Sequence, residues 1–211
     1  MEFARNEDQG MPLLDVIKKY KPTILVGVTA VGGLFTEAII KEMAAHCERP
    51  IIFPLSNPTH KAECTAEQAY EWTENRCIFA SGSPSDEVEL PDGSRFRPSQ
   101  CNNMYIFPGI GLGATVSGAK KITDRMLYIA AKALASFTSE EDVAMGKVFP
   151  PIHAIRQASH AIACDVVKEV VKEGLATRVS EEDCVKLKTF VAEKMYYPEY
   201  VPLVEKRTLT V

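Results

Sequence analysis

The stretch Pro50-Ile51-Ile52-Phe53-Pro54-Leu55-Ser56-Asn57-Pro58-Thr59 constrains this chain more than any other. A short apolar run rich in Ile and Phe has the length of a strand buried on both faces, as in a parallel sheet, and Asn57-Pro58 forces a turn just past it. Asn57 is thereby expected at a carboxyl edge, where open α/β sheets bind ligands. Its amide offers a donor and an acceptor to a small polar molecule. The competing reading is an Asx turn ahead of the proline.

The flanking segments supply more of a sheet. Leu13 to Tyr20 carries Leu14 and Ile17 at helical spacing and stops at Lys21-Pro22. Thr23 to Val28 reads as a buried strand, Thr29 to Gly33 as a glycine-bearing turn, and Leu34 to His46 as an apolar-periodic helix. Glycines at such a turn let a ligand approach the backbone, and free N–H groups at a helix start favour anionic or polar ligands. Gly27-x-x-x-x-Gly32-Gly33 is neither a P-loop nor a G-x-G-x-x-G fingerprint. Thr65-Ala66-Glu67-Gln68 has capping-box spacing for a helix to about Asn75, and Cys77 to Ala80 is a third strand halted at Ser81-Gly82-Ser83-Pro84. Polar residues Asp86 to Gln100, turning at Pro91-Asp92-Gly93, form a surface excursion or hairpin. Met104 to Phe107 is expected as a fourth strand, with Cys101-Asn102-Asn103 directly before it. Strands alternating with helices imply right-handed crossovers and a parallel sheet.

Beyond Pro108-Gly109 the chain turns helical. Ile110 to Ala114 is a small-residue helix suited to close packing against a sheet or a ligand. Helices run from Thr123 to about Phe137 and, after a short turn capped by Ser139, from Ile152 to Lys172, where Gly174 stops the helix. In the last of these Ile152, Ile155, Ala158, Ile162, Val166 and Val170 trace one apolar face. Ser180-Glu181-Glu182-Asp183 caps a final helix to about Met195. The aromatic tail Tyr196-Tyr197-Pro198-Glu199-Tyr200 covers either its own domain or a neighbour. The expected fold is α/β: a partial doubly wound, Rossmann-type parallel sheet over residues 1–122, then a helical extension over 123–211 packed on the same domain.

Bulk properties narrow the function. At 211 residues there is room for one α/β domain with a helical appendage. A net charge of -4 and the lack of a long basic run argue against nucleic acid, and no apolar segment approaches the roughly 20 residues a bilayer requires. Met1 to Asp8 lacks the apolar core of a signal peptide and reads as the middle of something larger. Six cysteines without a C-x-x-C pair suit a reducing compartment, cytoplasm or organelle matrix, and four histidines without H-E-x-x-H spacing point away from zinc.

Taken together, Lys21-Pro22-Thr23, the run Gly27 to Gly33, Arg49 to Thr59, Phe79 to Pro84 and Asn102 to Gly109 resemble, in order and spacing, the carboxyl-terminal part of malic enzymes. The resemblance runs from about Phe3 to about Leu203, with Tyr196-Tyr197-Pro198 fitting loosely. It implies oxidative decarboxylation of (S)-malate to pyruvate and carbon dioxide, with reduction of NAD or NADP and a requirement for Mg or Mn. It also implies that Asn57, Asn102 and Asn103 bind substrate, that Gly27, Val28, Thr29 and Ala30 border the cofactor together with Asn57 and Asn102, and that the enzyme is a homo-oligomer. Neutral amides can donate to a malate carboxylate without adding a charge that would trap product. In that family the acid tyrosine, base lysine, metal-binding carboxylates, substrate arginine and G-x-G-x-x-G turn precede the matched region. This chain is therefore expected to hold no catalytic or metal residue, to be inactive alone, and to need the missing N-terminal part. Tyr105 and Lys120 could be nominated as stand-ins, but a strand side chain and a helix surface explain them better. The alternative is a non-catalytic cofactor-binding or oligomerisation module derived from the same fold.

Overall fold

The structure, a computed structural model, describes residues 7–91, 93, 95–198 and 200. The resemblance at both chain ends, and Asp92 of the expected turn, lie outside these residues.

Helix α1 (Leu13–Tyr20) buries Ile17 and ends where Lys21 turns left-handed ahead of Pro22. Strand β1 (Ile24–Gly27) leads through an irregular turn to α2 (Glu37–His46), a start two to three residues later than the apolar period alone suggests. Strand β2 (Ile51–Pro54) follows, then a cis Asn57-Pro58 bond and a 3-10 turn over Thr59–Lys61. Thr65 and Gln68 form the expected capping box on α3 (Ala66–Trp72), and β3 (Ile78–Ser81) comes next. The polar excursion is a small antiparallel hairpin of two-residue strands, β4 (Val88–Glu89) against β5 (Arg95–Phe96).

The sheet is parallel, in the order β1-β2-β3-β6, where β6 is the short polar strand Ser99–Gln100. The expected fourth strand at Met104 to Phe107 does not form. Asn102 accepts a bond from the Met104 amide and opens a 3-10 turn over Asn103–Tyr105, and α4 (Phe107–Ser117) begins at once with Pro108 in its first turn. A side-chain cap followed by a proline, whose missing N–H costs nothing in a first helical turn, favours a helix over a strand. Met104, Tyr105 and Ile106 join a helical core instead of a sheet, while Phe107 is 64% exposed.

The sheet is not buried on both faces. Leu25, Ile52 and Phe79 point into a core with Ile17, Ile40 and Met43 beneath α1, α2 and α3. On the opposite face Ile24 and Val26 of β1 are 53% and 50% exposed, while Phe53 is half covered by Phe149, ring centroids 6.3 Å apart. The apolar runs of β1 and β2 therefore reflect two different environments, one a core and the other a surface that is largely open at β1. β1 is one edge of the sheet and β6 the other.

The remaining helices are α5 (Asp124–Ala135), α6 (Glu140–Ala144), α7 (Ile155–Lys172) and α8 (Leu187–Glu193). Thr123 and Ser139 cap α5 and α6 as expected. Gly109 and Gly113 of α4 meet Ile162 and Val166 of α7, so the small-residue face serves a helix, not the sheet or a ligand. Ile155 is partly buried, Ala158, Ile162, Val166 and Val170 are buried, and Ile152, in a 3-10 turn ahead of α7, is 53% exposed. The Ser180 cap is reversed: the Asp183 carboxylate accepts from Ser180 N and Oγ, residues Glu182–Lys186 are 3-10, and α8 starts only at Leu187. This region reaches the sheet through Val148 N donating to Ser99 Oγ and Arg49 donating to the Val143 and Ala144 carbonyls. Tyr196 and Tyr197 are exposed, the latter beneath the Arg156 guanidinium at 4.8 Å. Among the described residues no helix is long and apolar enough to cross a membrane.

Candidate functional site

Parallel pairing brings the ends of the four strands to one edge. Its ladder continues past them: Leu55 N donates to Gly27 O at 2.8 Å, Gly82 N to Pro54 O at 3.2 Å and Cys101 N to Ser81 O at 2.9 Å. Four turns thus emerge side by side, at Thr29-Ala30, Ser56-Asn57, Gly82-Ser83 and Asn102-Asn103.

Asn57 is exposed, and its amide reaches across the edge. Oδ1 accepts from Ser83 Oγ, and Nδ2 makes a long 3.4 Å contact to Leu55 O. Asn102 uses Nδ2 to donate to Gly82 O at 3.2 Å and Oδ1 to cap the following turn. Both asparagines therefore bracket Gly82, whose carbonyl also accepts from Gln100 Nε2 at 3.2 Å. An ideal Cβ on Gly82 would lie 2.2 Å from Leu55 O and 2.9 Å from Asn57 Nδ2, so only glycine lets the β3 turn press this close. Asn103 sits next to Asn102 with its side chain exposed. Ser81 does form a turn, bonding Ser83 O and Ser85 Oγ, whereas Ser83 holds Asn57.

Gly27 is buried while Val28, Thr29 and Ala30 are exposed. The reason for a glycine at position 27 is Glu63: a Cβ there would meet its Cδ at 2.4 Å. Glu63, which sequence reasoning passed over, is fully buried and bonds the Thr29 backbone and hydroxyl and the Ser56 hydroxyl. Burial pushes its carboxyl up, but the bonds from Ser56 and Thr29 outweigh this and leave it below the ordinary carboxylate range. The only sequence signal is a carboxylate between Ala62 and Cys64, which reads as an ordinary polar loop residue. Ala30 has a left-handed backbone, φ 57°, and its amide donates to Ser56 Oγ at 2.8 Å.

The edge therefore offers amides, hydroxyls and backbone groups for binding. The turn at Val28 to Ala30 is exposed, with its Thr29 and Ala30 amides already donated to Glu63 and Ser56, and the two side-chain amides beyond it have the donor and acceptor types that pair with small polar groups. Proton chemistry is not served by the nominated residues. Tyr105 is 2% exposed in the 3-10 turn, not on a strand, and its hydroxyl, pushed up by burial, donates to Pro150 O at 2.7 Å. Lys120 lies in the loop after α4, not on a helix surface, with its amide bonded to Leu175 O. Among the described residues no group of three or more His, Cys, Asp or Glu side chains converges. A 390 Å³ cavity beside β6, lined in part by Arg97, Asp142 and Lys147, stands apart from the asparagines. Its charged groups pair locally, Arg97 with Glu87 and Lys147 with Asp142.

A family model described as "Malic enzyme, NAD binding domain" matches residues 1–171. The chain is 48% identical over 201 residues to an NADP-dependent malic enzyme of Dictyostelium discoideum, a match covering 94% of this chain and 36% of that protein. It is 45% identical over 198 residues to one of Mus musculus, covering 94% and 34%. A crystal structure of the Entamoeba histolytica malic enzyme aligns with a TM-score of 0.64 at 27% identity, covering 81% of this chain and 31% of that one. That of a Pyrococcus horikoshii malic enzyme aligns at 0.57 and 29% identity, covering 81% and 36%. The chain spans about a third of the length of the curated relatives it matches.

Proposed function

Because this chain belongs to the malic enzyme family, we propose that it forms the cofactor- and substrate-facing edge of an enzyme that oxidatively decarboxylates (S)-malate to pyruvate and carbon dioxide. The observation that carries this reading is the meeting of Asn57 and Asn102 around Gly82, with Asn57 one strand over from the exposed Thr29-Ala30 turn and Gly82 two.

In this reading residues 1–122 are a partial NAD(P)-binding domain and 123–211 a helical extension packed on it. The nicotinamide cofactor, NAD or NADP, takes the hydride. Gly27, Val28, Thr29 and Ala30 border its ribose, with Val28 to Ala30 presenting their exposed side. Asn57, held by Ser83, and Asn102, anchored on Gly82, orient a carboxylate of malate and the carboxamide end of the cofactor by neutral hydrogen bonds, with Asn103 beside them. None of these groups can remove the hydroxyl proton or protonate an enol, because amides and buried hydroxyls do not titrate near neutrality. The acid, the base and the ligands for Mg or Mn are assigned to the remaining two thirds of the enzyme's length, and homo-oligomer formation to the complete protein.

The test is direct. Malate, Mn and NAD or NADP are added to the purified chain and reduced nicotinamide is followed by absorbance. No turnover is expected from the chain alone, and turnover is expected once a segment carrying the rest of a malic enzyme is supplied. Turnover by the unaided chain would place the acid and base within it and overturn the division of labour.

A further inference from the structure

Glu63 lies behind the turns rather than on them, yet every turn next to it is tied to it. Its Oε1 accepts from Thr29 N at 2.9 Å, Thr29 Oγ1 at 2.8 Å and Ser56 Oγ at 2.6 Å, and its Oε2 faces Ser56 N at 3.4 Å. Ser56 Oγ passes the restraint on by accepting from Ala30 N, the residue held in a left-handed conformation that an L side chain disfavours. One carboxylate thus fixes the ends of β1 and β2 to each other, immediately before Asn57.

Buried carboxylates ordinarily sit beside a cation. Among the described residues no lysine, arginine or histidine pairs with Glu63. Its hydrogen bonds keep it ionised at neutral pH, so an uncompensated negative charge stands directly behind the exposed turn.

We propose that Glu63 is a positioning residue that holds the Thr29-Ala30 turn against Ser56-Asn57 and whose charge biases this edge toward the oxidised nicotinamide over the reduced one. The inference rests on the reading that this edge takes a nicotinamide cofactor. The oxidised ring carries a positive charge and the reduced ring does not, so a fixed carboxylate at partly screened distance favours the former by about tenfold.

Two substitutions separate shape from charge. Glu63→Gln keeps the size and the Oε1 acceptor that takes three of the four bonds, gives up the long 3.4 Å contact from Ser56 N and removes the charge, whereas Glu63→Ala removes acceptor and charge together. Amide hydrogen exchange at Thr29 and Ala30, which needs no ligand, reports the turn. Calorimetric titration of the chain reconstituted with a segment carrying the rest of a malic enzyme, with oxidised and, separately, reduced cofactor, reports the bias. Glu63→Gln is expected to keep the two amides protected, to lose about tenfold in affinity for the oxidised form and to bind the reduced form as the parent does. Glu63→Ala is expected to lose the protection and both affinities. Equal binding of both forms by parent and Glu63→Gln, or a parallel weakening of both, overturns the charge bias while leaving the proposed function standing. Unchanged exchange in Glu63→Ala overturns the positioning role. A reconstituted parent that binds neither form overturns the proposed function, and the charge bias with it.

Discussion

Single residues at the sheet edge have no slack. Gly82 lies between two asparagines and against Leu55 O, so Gly82→Ala forces the β3 turn away from β2. Overpacking of this kind costs about 1–3 kcal/mol, and a lower urea midpoint at unchanged slope is the expected reading. Glu63 makes a pH-dependent contribution whose sign follows from its hydrogen bonds. Its folded carboxyl titrates below the ordinary value of 4.5, so the unfolded chain takes up its proton first as pH falls. The resulting stabilisation is complete above 4.5 and is lost as pH drops through the folded value. Comparing melting temperatures of the parent and Glu63→Gln between neutral and strongly acidic pH should therefore show a gap that is largest near neutrality and closes in acid. A constant gap would mean that Glu63 acts by packing alone. Neither residue's role was legible beforehand, because a glycine in Ser81-Gly82-Ser83 and a glutamate in a loop carry no periodicity. Asn57 was legible because an apolar run ending at Asn-Pro marks a strand end.

At the scale of elements, the most demanding contact joins two helices. Ile162 of α7 is wholly buried and packs where Gly109 of α4 leaves no room for a Cβ. Ile162→Ala leaves a cavity that the backbones, already in close approach, cannot close, and a loss of about 2–5 kcal/mol in chemical denaturation is expected. Thr65→Ala removes a single capping acceptor from the start of α3 and should cost only about 1 kcal/mol. Elements whose signal is local came through in the sequence: α1, the capped starts of α3, α5 and α6, and the three apolar strands. Two failures share a physical cause. β6 is two polar residues that pair only because β3 lies beside them, and Met104 to Ile106 are apolar because they pack in a helical core, so tertiary placement overrode composition in both. The burial of β1 was also overestimated, since an apolar alternation says which residues avoid water in a finished fold, not which neighbour covers them.

That last point governs the molecule as a whole. β1 presents an unpaired strand edge together with Ile24, Val26 and Val28, the last 76% exposed, on one continuous side of the sheet. Edges and apolar faces of this kind are covered in stable proteins, by a further strand, a helix or another chain, because unpaired strand groups template association. The relatives, about three times longer than the match to them, contain polypeptide enough to supply such a cover. By itself, the described chain should associate through this side as concentration rises. Val26→Lys places a charge at the middle of the open face without touching the core formed by Leu25 and Ile52. Sedimentation velocity across a concentration series is expected to show the parent self-associating and the lysine variant shifted toward monomer, with thermal stability changed by no more than about 0.5 kcal/mol. A parent chain that stays monomeric and melts cooperatively throughout the series would mean that the open face is satisfied by water, and that the sheet needs no fifth strand to stand.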